Sequence, residues 1–69
     1  MEELANFVNI RRKEVNLTQE EFADTAGVAL TVIRKIEQNK TNLNLEKVNQ
    51  VLKMFGHKFV PVSFKDINL

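Results

Sequence analysis

"LTQEEFADTAGV", residues 17–28, decides the fold because it carries the signals for both ends of one short helix. Thr18 followed by Glu21 is a capping box, in which the threonine hydroxyl accepts from the Glu21 N–H and the Glu21 carboxylate accepts from the Thr18 N–H. Gly27 suits the left-handed backbone conformation that commonly closes a helix. The stretch therefore predicts a helix of about two turns that begins after Thr18 and ends at Gly27.

The segments on either side predict three more helices. Apolar residues at three-, four- and seven-residue spacing predict a first helix over residues 2–15, with Leu4, Phe7, Val8 and Val15 on one face. "ALTVIRKIEQNK", residues 29–40, predicts a third helix that ends near Asn39 and buries Ile33 and Ile36. A fourth helix is predicted between a cap at Asn44 and Gly56, with an apolar stripe of Leu45, Val48, Val51, Leu52 and Phe55.

The tail, residues 57–69, has a different pattern. Phe59, Val60, Val62 and Phe64 are β-formers, but Pro61 has no N–H to donate, so only an edge strand or a lone strand is expected. Such a strand either lies as an arm on the helices or pairs with the same strand of a second chain. The fold class is therefore all-α: a domain of four to five helices over residues 1–56, followed by a short C-terminal β-strand that either lies on the helices or pairs across a dimer.

Composition limits the kinds of function. Residues 1–28 contain three basic and six acidic side chains, whereas residues 29–58 contain six basic and two acidic. This asymmetry is typical of a protein that binds a polyanion, although ordinary solvated helix faces produce it too. The absence of cysteine and the single histidine exclude a thiolate or His-rich metal site, and no cofactor is expected. The N-terminal residues fit neither a signal peptide nor a membrane span, which favours a cytoplasmic protein.

The second and third predicted helices are joined by a turn that contains a glycine, which describes a helix-turn-helix. In that motif the first helix crosses the DNA backbone and the N-terminal part of the second enters the major groove. A plain αα-hairpin shares the two-helix pattern. Leu30 argues for the motif, because a large apolar side chain near the exposed start of a helix is costly unless a partner covers it.

Residues 17–40 resemble the helix-turn-helix of the Xre/Cro or lambda-repressor-like family, whose pattern reads L-T-Q-x-x-L-A-x-x-x-G-V-S-x-x-x-I-x-x-x-E-x-G-K. The matching residues are Leu17, Thr18, Gln19, Phe22, Ala23, Gly27, Val28, Ile33, Glu37 and Lys40. Two positions depart from the pattern. Ala29 replaces a serine or threonine that would cap the third helix, and Asn39 replaces a glycine.

The resemblance implies which residues contact DNA. Base contacts fall on Leu30, Thr31, Arg34 and Lys35 of the third helix, and phosphate contacts fall on Thr18, Gln19, Asn39, Lys40, Thr41 and Asn42. Arg12 and Glu37 match a structural ion pair between the first and third helices. Dimerisation is expected through Phe59, Val60, Val62 and Phe64 of the tail. No residue pattern supports catalysis or metal binding, and an enzyme is not expected.

The strand in the tail is also similar to that of HipB-like antitoxins, in which it pairs across a dimer. That resemblance implies a repressor of its own operon that binds a toxin protein, a HipA-like kinase. The function expected from the sequence is therefore a homodimeric repressor that binds an inverted repeat of double-stranded DNA. The alternative is a protein-interaction module that keeps the helix-turn-helix fold and binds a partner protein instead of DNA.

Overall fold

The computed structural model describes residues 2–65, and within them the chain forms four α-helices and one short 3-10 helix. The helices are α1 (Glu2–Glu14), α2 (Gln19–Ala26), α3 (Leu30–Glu37) and α4 (Leu45–Leu52), and the 3-10 helix is Lys53–Phe55. α3 packs against each of the other three α-helices. Helices α2 and α3, joined by residues 27–29, form the helix-turn-helix that the sequence predicts. None of these helices is both long and apolar enough to cross a membrane.

The same backbone motif follows α1, α2, α3 and the 3-10 helix that continues α4. A residue with positive φ follows each one: Asn16 (58°), Gly27 (74°), Asn39 (59°) and Gly56 (71°). The next N–H along the chain then bonds back to a carbonyl five residues earlier, as from Val28 to Ala23 (3.0 Å) and from Lys40 to Lys35 (3.0 Å). Asn39 thus adopts the conformation for which the family pattern has glycine.

The beginnings of the helices differ from one another. The predicted capping box is confirmed: the Glu21 N–H donates to the Thr18 hydroxyl (3.1 Å) and the Thr18 N–H donates to the Glu21 carboxylate (2.8 Å). Asn44 caps α4 through a bond from the Lys47 N–H (3.2 Å). Ala29, in contrast, provides no side-chain bond to the start of α3. The DNA-reading helix expected from the sequence therefore begins without a side-chain cap.

A single apolar core holds the helices together. Its buried members are Leu4, Val8, Phe22, Ala23, Ile33, Ile36, Val48, Val51 and Leu52. Two residues expected on apolar faces are exposed instead, Val15 at 50% and Leu45 at 56%. Val15 lies just beyond the end of α1. Leu45 is the first residue of α4 and lies almost one turn before the first buried position, Val48.

The predicted C-terminal strand is absent from residues 2–65. The tail has no regular structure up to residue 63 and forms a turn at 64–65. The physical reason is that a strand needs a neighbour to pair with, and this chain forms no other strand in its described part. The Phe59 N–H donates to the Asn49 side-chain oxygen (2.6 Å) and fixes the start of the tail on α4. Residues 66–69 of the predicted tail lie outside the described residues.

Candidate nucleic-acid interface

The two sides of α3 carry different kinds of residue. Ile33 and Ile36 are fully buried on the side that faces the core. On the opposite side, Thr31, Arg34 and Lys35 are exposed, and Gln38, just past the end of the helix, continues the same face. We call these four residues the outer face of α3. Among the described residues their side chains have no hydrogen-bond or ion-pair partner.

Leu30 and Gln38 differ from what the sequence suggested. Leu30 was expected to be exposed, but it is half-buried and packs against the core, so an uncovered apolar side chain no longer argues for the motif. Gln38 was not among the expected contacts. Its position seven residues after Thr31 was the available signal, because that spacing returns to the same face of a helix.

A polar network under the inner side of α3 fixes its orientation. The Glu37 carboxylate, 5% exposed, accepts from Nε of Arg12 (2.8 Å) through one oxygen. Its other oxygen accepts from a second Arg12 nitrogen (3.0 Å), from Asn9 (2.8 Å) and from Gln19 (3.2 Å). Arg12 also donates to the carbonyl of Leu17 (2.8 Å). The end of α3 is thereby bonded to both α1 and α2.

This network stabilises the charged forms of both ionised partners. Burial alone disfavours a carboxylate and raises the pKa of Glu37, but the hydrogen bonds from Arg12, Asn9 and Gln19 outweigh burial and hold that pKa below its ordinary value. The pKa of Arg12 is raised, chiefly by its hydrogen bond to Glu37. The buried side-chain nitrogen and oxygen atoms of the described residues all have hydrogen-bond partners. The network is therefore a satisfied structural element.

Gln19 belongs to this network and also stands at the first position of α2. Its side-chain nitrogen uses one hydrogen for Glu37, which leaves the second hydrogen for another acceptor. The hydroxyl of the neighbouring Thr18 is exposed but already accepts the capping bond. The structure thus places Gln19 between the buried ion pair and the surface where a phosphate was expected.

Gln50 on α4 supports the turn of the helix-turn-helix, a role that sequence reasoning missed. Its side-chain nitrogen donates to the carbonyls of Ala26 (3.1 Å) and Gly27 (3.0 Å). A Cβ at Gly27 would lie 3.2 Å from that nitrogen, so the turn favours glycine for its space as well as its positive φ. Gln50 lies 24 positions after Ala26 and 23 positions after Gly27, so no local sequence pattern indicates these bonds.

The loop after α3 lies beside the outer face. Asn39, Lys40, Thr41 and Asn42 are all exposed there, as phosphate contacts must be. The cations between residues 29 and 58 are also unpaired within the described chain. Within residues 2–65 the ion pairs are Arg11 with Glu14 (3.8 Å) and Arg12 with Glu37 (2.8 Å), so every cation between residues 29 and 58 lacks a carboxylate partner.

The start of the tail, residues 57–59, lies against α1 and the end of α4. Phe59 and Leu52 line a mainly apolar cavity of about 270 Å³ together with Leu4 and Phe7 of α1. The exposed fractions of the four predicted dimerisation residues are 38% for Phe59, 47% for Val60, 53% for Val62 and 78% for Phe64. In the described part of the chain, no three metal-ligating side chains come together.

Comparison with known proteins agrees with this geometry. The sequence matches the helix-turn-helix family over residues 8–58. Over 54 residues it is 43% identical to an uncharacterized HTH-type transcriptional regulator, y4mF, of Sinorhizobium fredii (strain NBRC 101917 / NGR234), a match that covers 78% of this chain and 71% of that protein. The chain belongs to the Xre or lambda-repressor-like helix-turn-helix family, a family of DNA-binding regulators and not of enzymes.

Proposed function

We propose that this protein is a sequence-specific transcriptional repressor that binds an inverted repeat of double-stranded DNA as a homodimer. The observation that carries the proposal is the difference between the two sides of α3. Its inner side is fixed by the core and by Glu37, whereas its outer face presents Thr31, Arg34, Lys35 and Gln38 without partners in the described residues. A helix held in this way suits insertion into a major groove.

The residues of the interface then have separate roles. Arg34 and Lys35 suit the O6 and N7 atoms of guanine, while the methyl group of Thr31 and the accessible part of Leu30 suit a thymine methyl. Phosphates would be bound by Thr18 and Gln19 at the start of α2 and by Asn39, Lys40, Thr41 and Asn42 after α3. Gln19 would use its second amide hydrogen for a phosphate while keeping its bond to Glu37.

Dimerisation through the tail is the second part of the proposal. The apolar side chains of the tail are exposed to an extent that a second chain would reduce, and its β-forming residues need a partner strand to pair. Two recognition helices would then enter major grooves about 34 Å apart. Removal of residues 59–69 should convert a dimer into a monomer in multi-angle light scattering. A shortened chain that remains dimeric would refute pairing through the tail.

The regulated operon would encode a toxin, in line with the resemblance of the tail to HipB-like antitoxins. A HipA-like kinase is the partner that this resemblance suggests. Co-expression of this chain with a HipA-like kinase should yield a complex that survives gel filtration. Separate elution of two folded proteins would leave a repressor without a toxin partner.

A protein-interaction module of the same fold is the second candidate, and Phe64, 78% exposed, favours it. Salt separates the two functions. If the cations of residues 29–58 bind phosphates, the logarithm of the association constant for duplex DNA should fall steeply as the logarithm of the salt concentration rises, with a slope of about −0.9 per phosphate neutralised. An apolar protein interface would respond little. Absence of salt-dependent DNA binding by the folded chain would favour the interaction module.

A further inference from the structure

The cavity between α1, α4 and the start of the tail takes no part in the proposed DNA contacts. Its apolar lining comes from Leu4 and Phe7 of α1, Leu52 of α4 and Phe59 of the tail. Drug-sized ligands fill about 300 to 1,000 Å³, whereas a cavity of about 150 Å³ is enough to hold benzene. A volume of about 270 Å³ therefore suits a single aromatic side chain better than a larger ligand.

The tail that forms part of this cavity also carries a largely exposed aromatic ring. Phe64 is 78% exposed, so its ring does not occupy the cavity of its own chain. Five residues separate it from Phe59, and a stretch of that length spans at most about 18 Å when extended. The ring is therefore able to reach beyond the surface of its own chain.

The charges on the cavity rim and beside the ring are complementary. Glu3 is exposed and forms no ion pair within residues 2–65, although Lys58 lines the same cavity. Lys65 directly follows Phe64, and its ammonium group likewise has no carboxylate partner in that range. An incoming chain with Phe64 in the cavity would bring Lys65 to the rim, where the carboxylate of Glu3 attracts it.

We infer that the cavity of each chain receives Phe64 from a second copy of this protein, with Lys65 of that copy beside Glu3. The inference rests on the proposed homodimer and identifies the surface that its tails contact. A two-fold axis makes the exchange reciprocal. Each dimer therefore buries both Phe64 rings and forms both ion pairs.

Matched charge reversals test the rim of the cavity. Glu2 and Glu3 are both exposed in the first turn of α1, but only Glu3 lines the cavity. In sedimentation equilibrium, Glu3→Lys should raise the dimer dissociation constant about tenfold, because repulsion replaces attraction at two equivalent contacts. Glu2→Lys should keep the parent value, and Glu3→Lys combined with Lys65→Glu should restore it.

Disulfide cross-linking tests the position of the incoming tail. The chain contains no cysteine, so Glu3→Cys in one chain and Lys65→Cys in another report a single contact between the two. After oxidation, a mixture of these variants should run as a linked heterodimer on a non-reducing gel, and Glu2→Cys should not replace Glu3→Cys. Phe64→Ala in the Lys65→Cys chain should abolish the link. Phe64→Ala alone should raise the dimer dissociation constant about 100-fold or more, because each dimer loses two buried rings.

Each outcome decides the inference. If the parent protein is a dimer but Phe64→Ala keeps its dissociation constant, or the two cysteines form no link, the inference fails and the proposed homodimer stands. If Glu3→Lys behaves like Glu2→Lys, the ion pair is overturned. A monomeric parent protein would refute the homodimer and the inference together. Circular dichroism should show the parent's helix content in every variant, and if Glu3→Lys unfolds, Phe64→Ala in the exposed tail decides.

Discussion

The inner and outer sides of α3 use polar residues in opposite ways. On the inner side, Glu37 is 5% exposed and accepts four hydrogen bonds from α1 and α2. On the outer side, Arg34 and Lys35 are exposed and have no ion-pair partner in the described chain. The difference teaches that satisfied polar groups in this domain set the orientation of α3, whereas unsatisfied ones mark the surface that is available to DNA.

Removal of the Glu37 carboxylate should have the largest effect. Glu37→Ala leaves the Arg12 guanidinium buried without its counter-charge, which typically costs about 3 to 5 kcal/mol. A core in a domain of this size supplies only about that much stability, so the variant should be largely unfolded at 25 °C. Urea unfolding monitored by circular dichroism measures the loss. A cooperative transition with a loss below about 1 kcal/mol would contradict the role given to the network.

Removal of a side chain from the outer face should leave stability nearly unchanged and weaken DNA binding. Arg34→Ala should leave the free energy of unfolding within about 0.5 kcal/mol of the parent value, because the side chain is exposed and unpaired. On the preferred operator it should weaken binding by about 1 to 3 kcal/mol and relax the preference at one base pair. The loop variant Lys40→Ala is the control, since a phosphate contact should weaken all sequences alike. An unchanged sequence preference would remove Arg34 from the base contacts.

The inner network should also make stability depend on pH. The pKa of Glu37 is lower in the folded chain than its ordinary value of about 4.3, so below that value the unfolded chain binds more protons. The stabilisation is complete above the ordinary pKa and is lost as the pH falls through the folded pKa. Glu37→Gln should therefore show a flatter acid limb in urea midpoints measured between pH 7 and pH 3. Identical limbs for the two proteins would show that Glu37 is not a source of the pH dependence.

The smallest expected effect concerns the uncapped start of α3. Ala29→Ser introduces an acceptor for the free N–H groups of the first turn, and should stabilise the domain by about 1 kcal/mol. Thr18→Ala, which removes the existing cap of α2, is the matched control and should lose about the same amount. The urea midpoint of each variant, compared with that of the parent protein, tests its effect. A serine that adds no stability would mean that another group already satisfies the start of α3.

Local signals predicted the helix-turn-helix well. The capping box at Thr18 and the positive φ of Gly27 depend on residues within a few positions of each other, and both were evident from sequence. Periodicity likewise identified Ile33 and Ile36 as the buried side of α3. Periodicity failed at the helix ends, where Val15, just past α1, is exposed.

Long-range polar contacts could not be predicted from patterns. Asn9 and Gln19 meet at Glu37 only because three helices pack together, and Gln50 reaches the α2–α3 turn for the same reason. The family resemblance suggested Arg12 with Glu37 but named neither Asn9 nor Gln50. The structure of the tail was not predicted either. Its β-forming residues indicate that the tail could pair with a strand, but they do not indicate whether a partner strand is present.

The most direct test of the central claim is an in vitro selection of random duplex DNA on the purified full chain at physiological salt. A homodimeric repressor should enrich an inverted repeat with half-sites about one helical turn apart. The Arg34→Ala variant should then fail to enrich one position of that repeat. Recovery of no preferred sequence by a folded protein would contradict the account and make the outer face of α3 a surface without a role in reading DNA.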